Sequence, residues 1–243
     1  MSKWKEAAYR PQILRPAPKR NSLRAKVDNS SHLYRSVKLI LGTLVSENNR
    51  GVHMDRSALT NLTPGAHRIL DAAERLFYTH GIHAVGVEAI AAEAGMTKRT
   101  LYNRFGSKER LVEAYLQQRN QRWQTRLDNR LAEAPRPRIN AVFEAYTDDA
   151  DGAVHGCAFL NAAAELRGNH PGIEVIRSHK QAVLSAVRRL VTEEVGSEAG
   201  EALADYVFLL LEGGIAQHGV NPESGSLETA KHAAMDLLSA KTP

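Results

Sequence analysis

The stretch AGMTKRTLYNRFGSKERL, residues 94–111, concentrates the chemistry-bearing side chains of this sequence. Two Lys, three Arg, two Thr, a Tyr and an Asn surround only a few apolar anchors. The major groove of B-DNA admits one helix, and Lys, Arg, Asn and Thr are side chains that hydrogen-bond base edges there. Thr97, Lys98, Arg99, Thr100 and Asn103 are therefore candidate readers. Tyr102, Arg104 and Lys108 are of the types that grip phosphates and hold such a helix in register. A surface built this way suits a polyanion.

Other candidate chemistry is thin. Cys157 near His155 invites a thiol-nucleophile reading, which needs a base within reach of the sulfur. Two residues apart on a helix, however, they do not face each other. A free thiol among Ala and Phe usually behaves as a small hydrophobe. With no histidine pair at i,i+4 and a single cysteine, no metal signature emerges. No acid/base pair is spaced for catalysis, so an enzyme is not expected, and no cofactor or metal is implied.

The reading residues need elements to position them. TPGAHRILDAAERLFYTHG, from Thr63, offers a cap residue followed by Pro64 at the first helical position. Ile69, Ala72, Ala73, Leu76 and Phe77 follow at one-face helical spacing, and Gly81 ends the run. Val87, Ile90, Ala91 and Ala94 give a second short apolar face, whose alanines permit close approach. Gly95 supplies a turn, Thr97 caps a third helix, and Leu101 and Phe105, four apart, are its expected buried anchors. Two short helices about a glycine turn, the second polar and basic, predict a helix-turn-helix.

ILDAAERLFYTHGIHAVGVEAIAAEAGMTKRTLYNRFGSKERLVEAYL resembles the DNA-binding domain of the TetR family of bacterial transcriptional regulators, most distinctively in IAAEAGMTKRTLYNRFGSKERL. The resemblance covers about residues 64–116. It implies a three-helix DNA-binding head, a linking fourth helix, and an all-helical C-terminal domain that dimerises and binds a small inducer. By the family pattern Tyr102 and Lys108 contact phosphate, while Thr97, Lys98, Arg99, Thr100 and Asn103 occupy the variable reading helix. Gly86 departs from the pattern, since relatives often carry a Ser or Thr cap there. Gly is a tolerable cap at a cost of a few tenths of a kcal/mol, on the order seen in model helices.

Beyond Ser107 the pattern stays helical. Ser107 caps a long helix with Leu111, Ala114, Tyr115, Trp123, Leu127 and Leu131 near one side, which PRPR at 135–138 ends. INAVFEAYTDDA, HGCAFLNAAAELRG, the amphipathic run after Pro171, EALADYVFLLLEGGIAQHGV and LETAKHAAMDLLSA complete an all-α region. HGCAFLNAAAEL is also similar to a string in the ligand-binding domains of one branch of TetR-like regulators. The tentative effector residues are Trp123, Phe143, Tyr146, Phe159, Asn161, Glu165 and His179, the aromatic ones being equally suited to plain core. Asn161 and Glu165, four apart on a helix, could bind a polar ligand atom or satisfy one another and nearby backbone. YVFLLLEGGIAQHG is apolar on more than one side, as expected where part of a helix meets a two-fold partner. The resemblance implies a homodimer through the last two helices. Gly213-Gly214 could permit a close crossing or bend the helix.

The chain has 243 residues and a formal net charge of +5, unevenly spread. Residues 1–60 carry 12 Lys/Arg against 4 Asp/Glu, residues 61–130 carry 11 against 7, and residues 131–243 carry 9 against 16. One half suits a polyanion and the other does not. Residues 1–60, broken by Pro11, Pro16 and Pro18, read as a flexible basic arm, as an over-extended gene start preceding Met54, or as a small third domain, with one short helix or strand at 33–45. Residues 61–110 read as the DNA-binding domain and 111–243 as the regulatory and dimerisation domain. No apolar run approaches the ~20 residues of a membrane span, and one cysteine fits the cytoplasm. The expected function is a homodimeric, sequence-specific regulator, a repressor released from a palindromic double-stranded DNA operator by a small, mostly apolar ligand. A helical scaffold or partner-binding protein without DNA recognition is the alternative from a different class.

Overall fold

Nine α-helices and one short 3-10 turn make up the regular structure of the described residues, with no strand among them. A computed structural model describes residues 62–150 and 155–240, which lie in one compact unit from Asp55 to Pro243. The helices are α1 (Pro64–His80), α2 (Val87–Glu93), α3 (Lys98–Phe105), α4 (Lys108–Glu133) and α5 (Asn140–Ala150). They continue with α6 (Ala158–Glu165), α7 (Pro171–Val195), α8 (Ser197–Val220) and α9 (Ser226–Ser239), the 3-10 turn Pro222–Ser224 preceding α9. The expectations for residues 1–60, whether arm, late start at Met54 or an element at 33–45, fall outside the described residues.

Local chemistry sets the boundaries at the N-terminal end. Thr63 Oγ1 accepts from the Ala66 N–H at 3.3 Å, Thr97 Oγ1 from Thr100 at 3.1 Å, and Ser107 Oγ from Arg110 at 3.2 Å. Each satisfies one orphan donor of a first turn. Gly86 starts α2 with no side-chain bond, and Glu88 supplies the acid that the helix dipole favours there. The turn between α2 and α3 places Gly95 at φ +63°, a left-handed conformation that L side chains resist. The Met96 N–H then returns to Ala91 O at 2.8 Å, closing α2.

Two buried clusters share the unit. The first unites Ile69, Leu70, Phe77, Ile90 and Leu101 of α1–α3 with Leu111, Val112, Tyr115 and Leu116 of α4, and with Phe159, Ala162, Leu166 and Ile176. Leu101 is fully buried as expected, whereas Phe105 is only half-buried. The position after 110, taken from the sequence as a domain boundary, falls within this cluster. The second gathers Trp123, Leu127 and Leu131 with Phe143, Val187, Leu190, Leu211 and Ile215 and the inner face of α9.

Close backbone approaches fix the remaining helices. Gly156 has φ +65°, and a Cβ there would lie 2.6 Å from Gly219 Cα, so no other residue fits without backbone displacement. The two adjacent glycines of α8 separate into different roles. A Cβ on Gly214 would stand 3.0 Å from Ala230 Cβ, so this glycine permits the α8–α9 crossing. Gly213 faces open space. No helix among the described residues is long and apolar enough to cross a membrane.

Candidate DNA-reading face and effector cavity

The candidate reading face is the outer side of α3. Leu101 anchors its inner side, and the helical turn of about 100° per residue carries the neighbouring side chains outward. Arg99, Asn103 and Arg104 are exposed and make no hydrogen bond or ion pair among the described residues. Tyr102 is 39% exposed, a large area for an aromatic side chain. Lys108 is half-buried at the start of α4, with Nζ 6.0 Å from the centre of the Phe77 ring. Thr97 and Thr100 are more committed. Besides its capping bond, the Thr97 hydroxyl lies 2.9 Å from that of Thr100. Lys98 is held by an ion pair with Glu88 of α2, and its Nζ lies 5.9 Å from the centre of the Tyr102 ring. The shared hydrogen bond holds the Glu88 carboxyl below its ordinary range and raises the Lys98 ammonium.

The candidate effector residues divide. Trp123, Tyr146, Phe159 and His179 line one cavity, with Asp149, Gly156, Cys157 and Ile215. Phe159 stacks on His179 at 3.7 Å, and Trp123 meets His179 and Tyr146 edge-on at 5.0 and 6.0 Å. The space admits the centre of a water-sized sphere over only about 10 Å³, roughly one water molecule.

Phe143, Asn161 and Glu165 do not line this cavity, contrary to the grouping expected from sequence. Phe143 is fully buried in the second cluster. Asn161 is two residues from Phe159 on α6, about 200° around the helix, and its Nδ2 donates to His155 O at 2.8 Å. Glu165 turns towards the head, where its two oxygens accept from the Ile82 and His83 N–H groups at 2.8 and 2.7 Å. Of the two roles the sequence left open for this residue, the backbone one is occupied. The His155 ring lies against Tyr78 at 5.9 Å, while Lys180 Nζ is 3.7 Å from Cys157 Sγ.

Nearly every polar group around the cavity is paired. The Tyr146 hydroxyl donates to Glu212 at 2.8 Å, and Lys180 donates to the same carboxylate at 2.7 Å. Burial, above all, raises the Tyr146 phenol, so it stays protonated. His179 Nδ1 donates to Asn120 Oδ1 at 2.9 Å. Burial first, then the charges of Lys180 and Arg119, push His179 down to about 3. Trp123 Nε1 is the exception, buried without a partner.

An arginine series on α4 was legible at i+3 and i+4 spacing but went unread. Arg119 pairs with Glu74 of α1 at 3.2 Å and approaches Asp149 of α5 at 3.8 Å. Arg122 reaches Asp71 and Glu74 at 3.2 and 2.7 Å, Arg126 pairs with Asp149, and Arg130 reaches Glu144 at 3.0 Å and also pairs with Asp148. Glu88 was likewise overlooked, because its partner becomes evident only when α2 and α3 are folded together. Among the described residues no group of three or more His, Cys, Asp or Glu side chains could hold a metal ion.

The family model described as "Bacterial regulatory proteins, tetR family" matches residues 69–115, from α1 into α4. SCO4454, a TetR-family transcriptional regulator from Streptomyces coelicolor, is 31% identical, and its crystal structure aligns over 74% of this chain and 96% of its own at a TM-score of 0.68. The chain belongs to the TetR family. Its α2–α3 helix-turn-helix is the DNA-binding element of a TetR-family regulator, a family of regulators rather than enzymes. An HTH-type transcriptional regulator of Mycobacterium tuberculosis, strain H37Rv, is 39% identical over 72 residues, 30% of this chain. The transcriptional activator FasR of Mycolicibacterium smegmatis is 36% identical over 89 residues, 33% of this chain. These matches span only 36% and 38% of the two relatives' own lengths.

The neutral, buried His179 makes stability pH-dependent. Its folded value near 3 lies below the ordinary value near 6.5, so protons favour the unfolded chain. The contribution is complete above about pH 6.5 and is lost as pH falls towards 3, by up to ~1.4 kcal/mol per pH unit. Urea unfolding of the wild type should therefore show a loss of about 2 kcal/mol from this site between pH 7.5 and 5. His179→Phe should lack that increment, and parallel pH curves for the two proteins would refute it.

Proposed function

We propose that the chain is a homodimeric repressor whose paired reading helices enter successive major grooves of a palindromic operator. The observation that carries this reading is the outer face of α3, where exposed Arg99, Asn103 and Arg104 stand opposite the buried Leu101. Residues 61–110 act as the DNA-binding head and residues 111–243 as the regulatory and dimerisation half. Arg99 and Asn103 read base edges, with Thr97, Lys98 and Thr100 at the edge of the same face. Tyr102, Arg104 and Lys108 hold phosphates. Two-fold symmetry and a separation of about 34–36 Å between reading helices match one turn of B-DNA.

The second copy docks on α8 and α9. Tyr206, Leu209 and Val220 are 61%, 65% and 80% exposed along α8, and Leu237 of α9 is 37% exposed. Open space over Gly213 lets a partner helix approach the same stripe. An isologous interface on such a self-complementary apolar face satisfies both copies at once.

The effector is small and mostly apolar and binds where Trp123, Tyr146, Phe159 and His179 converge. The cavity is nearly closed, so binding requires these rings to part. A ligand with higher affinity for that opened form moves the dimer away from operator spacing by the difference in affinity alone. Similarity to FasR, itself named an activator, supplies the second reading for the sign of regulation.

Band-shift titration with DNA from upstream of the protein's own gene tests the core of this reading. A salt-sensitive, sequence-dependent complex is expected, and its absence from every fragment would favour a helical scaffold. Lys108→Ala should weaken specific and random DNA alike and reduce the salt slope by about one. Arg99→Ala should relax preference at defined operator positions at a cost of about 1–3 kcal/mol. An unchanged preference in selection from randomised operators would remove Arg99 from the readers.

For the dimer, Leu209→Asp should sediment as a 26.8 kDa monomer where the wild type sediments at twice that mass. A variant that stayed dimeric would clear α8 of this role. For the effector, Trp4→Phe leaves Trp123 as the only indole. Compounds that release DNA should then change Trp123 emission, and release without any such change would exclude this cavity.

A further inference from the structure

We propose that Glu88 is an electrostatic brake that weakens the head's grip on the DNA backbone by holding Lys98 and adding a carboxylate beside the reading helix. This rests on the DNA-reading function proposed for α3.

Most acids of the head are paired with arginines outside the reading helix. Asp71 and Glu74 of α1 are bound to Arg122 and Arg119 of α4, Glu93 to Arg75, and Glu113 to Arg110. Among the described residues, only Glu88 forms an ion pair with a residue of the reading helix. It lies in the first turn of α2, and Lys98 is the first residue of α3, so the pair spans the helix-turn-helix turn. Both side chains are more than half exposed, at 66% for Glu88 and 52% for Lys98. The pair therefore lies on the surface, at the edge of the proposed reading face, and not in the packing beneath it.

An exposed ion pair contributes little to folding, because water screens it and two long side chains lose freedom to form it. This pair has a larger consequence when a phosphate arrives. Lys98 must then exchange a carboxylate for a phosphate or remain where it is, and in both cases the Glu88 charge stands near the polyanion. Phosphate contacts supply essentially all of the affinity for random DNA and release one counterion for each phosphate neutralised. A carboxylate that occupies a lysine subtracts from that term directly. On the operator, contacts to base edges by Arg99 and Asn103 come on top of the same phosphate term, so Glu88 lowers affinity for operator and random sequence by a similar factor.

Glu88→Gln keeps the size and helical fit of the side chain and removes its charge. Affinity should be measured across a salt series for a random-sequence duplex and for the upstream fragment that the wild type recognises. On random duplex the variant should bind about fivefold tighter near 0.1 M salt, with a salt slope steeper by about one. Its gain on the recognised fragment should be of similar size, and in a Lys98→Ala background the steeper slope should disappear. Unchanged binding to random duplex, or a steeper slope that persists in the Lys98→Ala background, would overturn the inference while leaving α3 as the reading helix. Failure of the wild type to bind any duplex would sink the DNA-reading function and this inference together. A thermal melt of each variant separates loss of fold from change of affinity.

Discussion

Helix α4 is the constraint on which the rest of the molecule depends. Its 26 residues extend about 39 Å at 1.5 Å per residue. Leu111, Val112, Tyr115 and Leu116 at one end are buried in the head cluster, and Trp123, Leu127 and Leu131 at the other in the second cluster. A continuous helix anchored at both ends cannot tilt in one cluster without disturbing the other, because close-packed interiors transmit displacement. Between the anchors, Arg119 is only 14% exposed yet is met by carboxylates from both α1 and α5. Removing one partner of so buried a charge costs far more than the pair itself contributes. The middle of α4 is thereby fixed to the head and to α5 at once.

Helix α6 makes a second connection between the same regions. Phe159 belongs to the head cluster while its ring stacks on His179 at the cavity. Glu165 accepts two head N–H groups at the other end of the helix. The Tyr78 hydroxyl donates to Gly156 O at 2.9 Å just before α6 begins. Parting the cavity rings thus moves a side chain that the head already counts in its own packing. For the proposed effector no separate relay is needed, since the cavity and the head share this helix.

The sequence made the head legible because its determinants are local. Caps at Thr63, Thr97 and Ser107, the turn at Gly95 and the burial of Leu101 all act within a few residues of where they are written. Phe105, a buried anchor by its spacing, lies at the end of α3 and is only half-buried. The cavity was legible only in its aromatic content. Trp123, Tyr146, Phe159 and His179 come from four helices, and composition could nominate them but could not show that they converge. Phe143, Asn161 and Glu165 were nominated on the same grounds and went elsewhere, since neither burial nor helical phase relative to a distant element is written locally. The regular spacing of Arg119, Arg122, Arg126 and Arg130 marks one basic face of α4, but the acids that answer it lie on α1 and α5.

The same physics explains why charge is divided as it is between the two halves. Arginines on α4 are largely spent on internal carboxylates, so a count of basic residues overstates what the surface offers to DNA. On α3 the reverse holds: Arg99, Asn103 and Arg104 have no internal partner among the described residues, and their donors stay available. Affinity for a polyanion depends on these uncommitted donors rather than on net charge. Lys98 lies between the two cases, basic by type but already answered by Glu88. A reading face with one restrained lysine and two unrestrained arginines binds more weakly than its composition suggests.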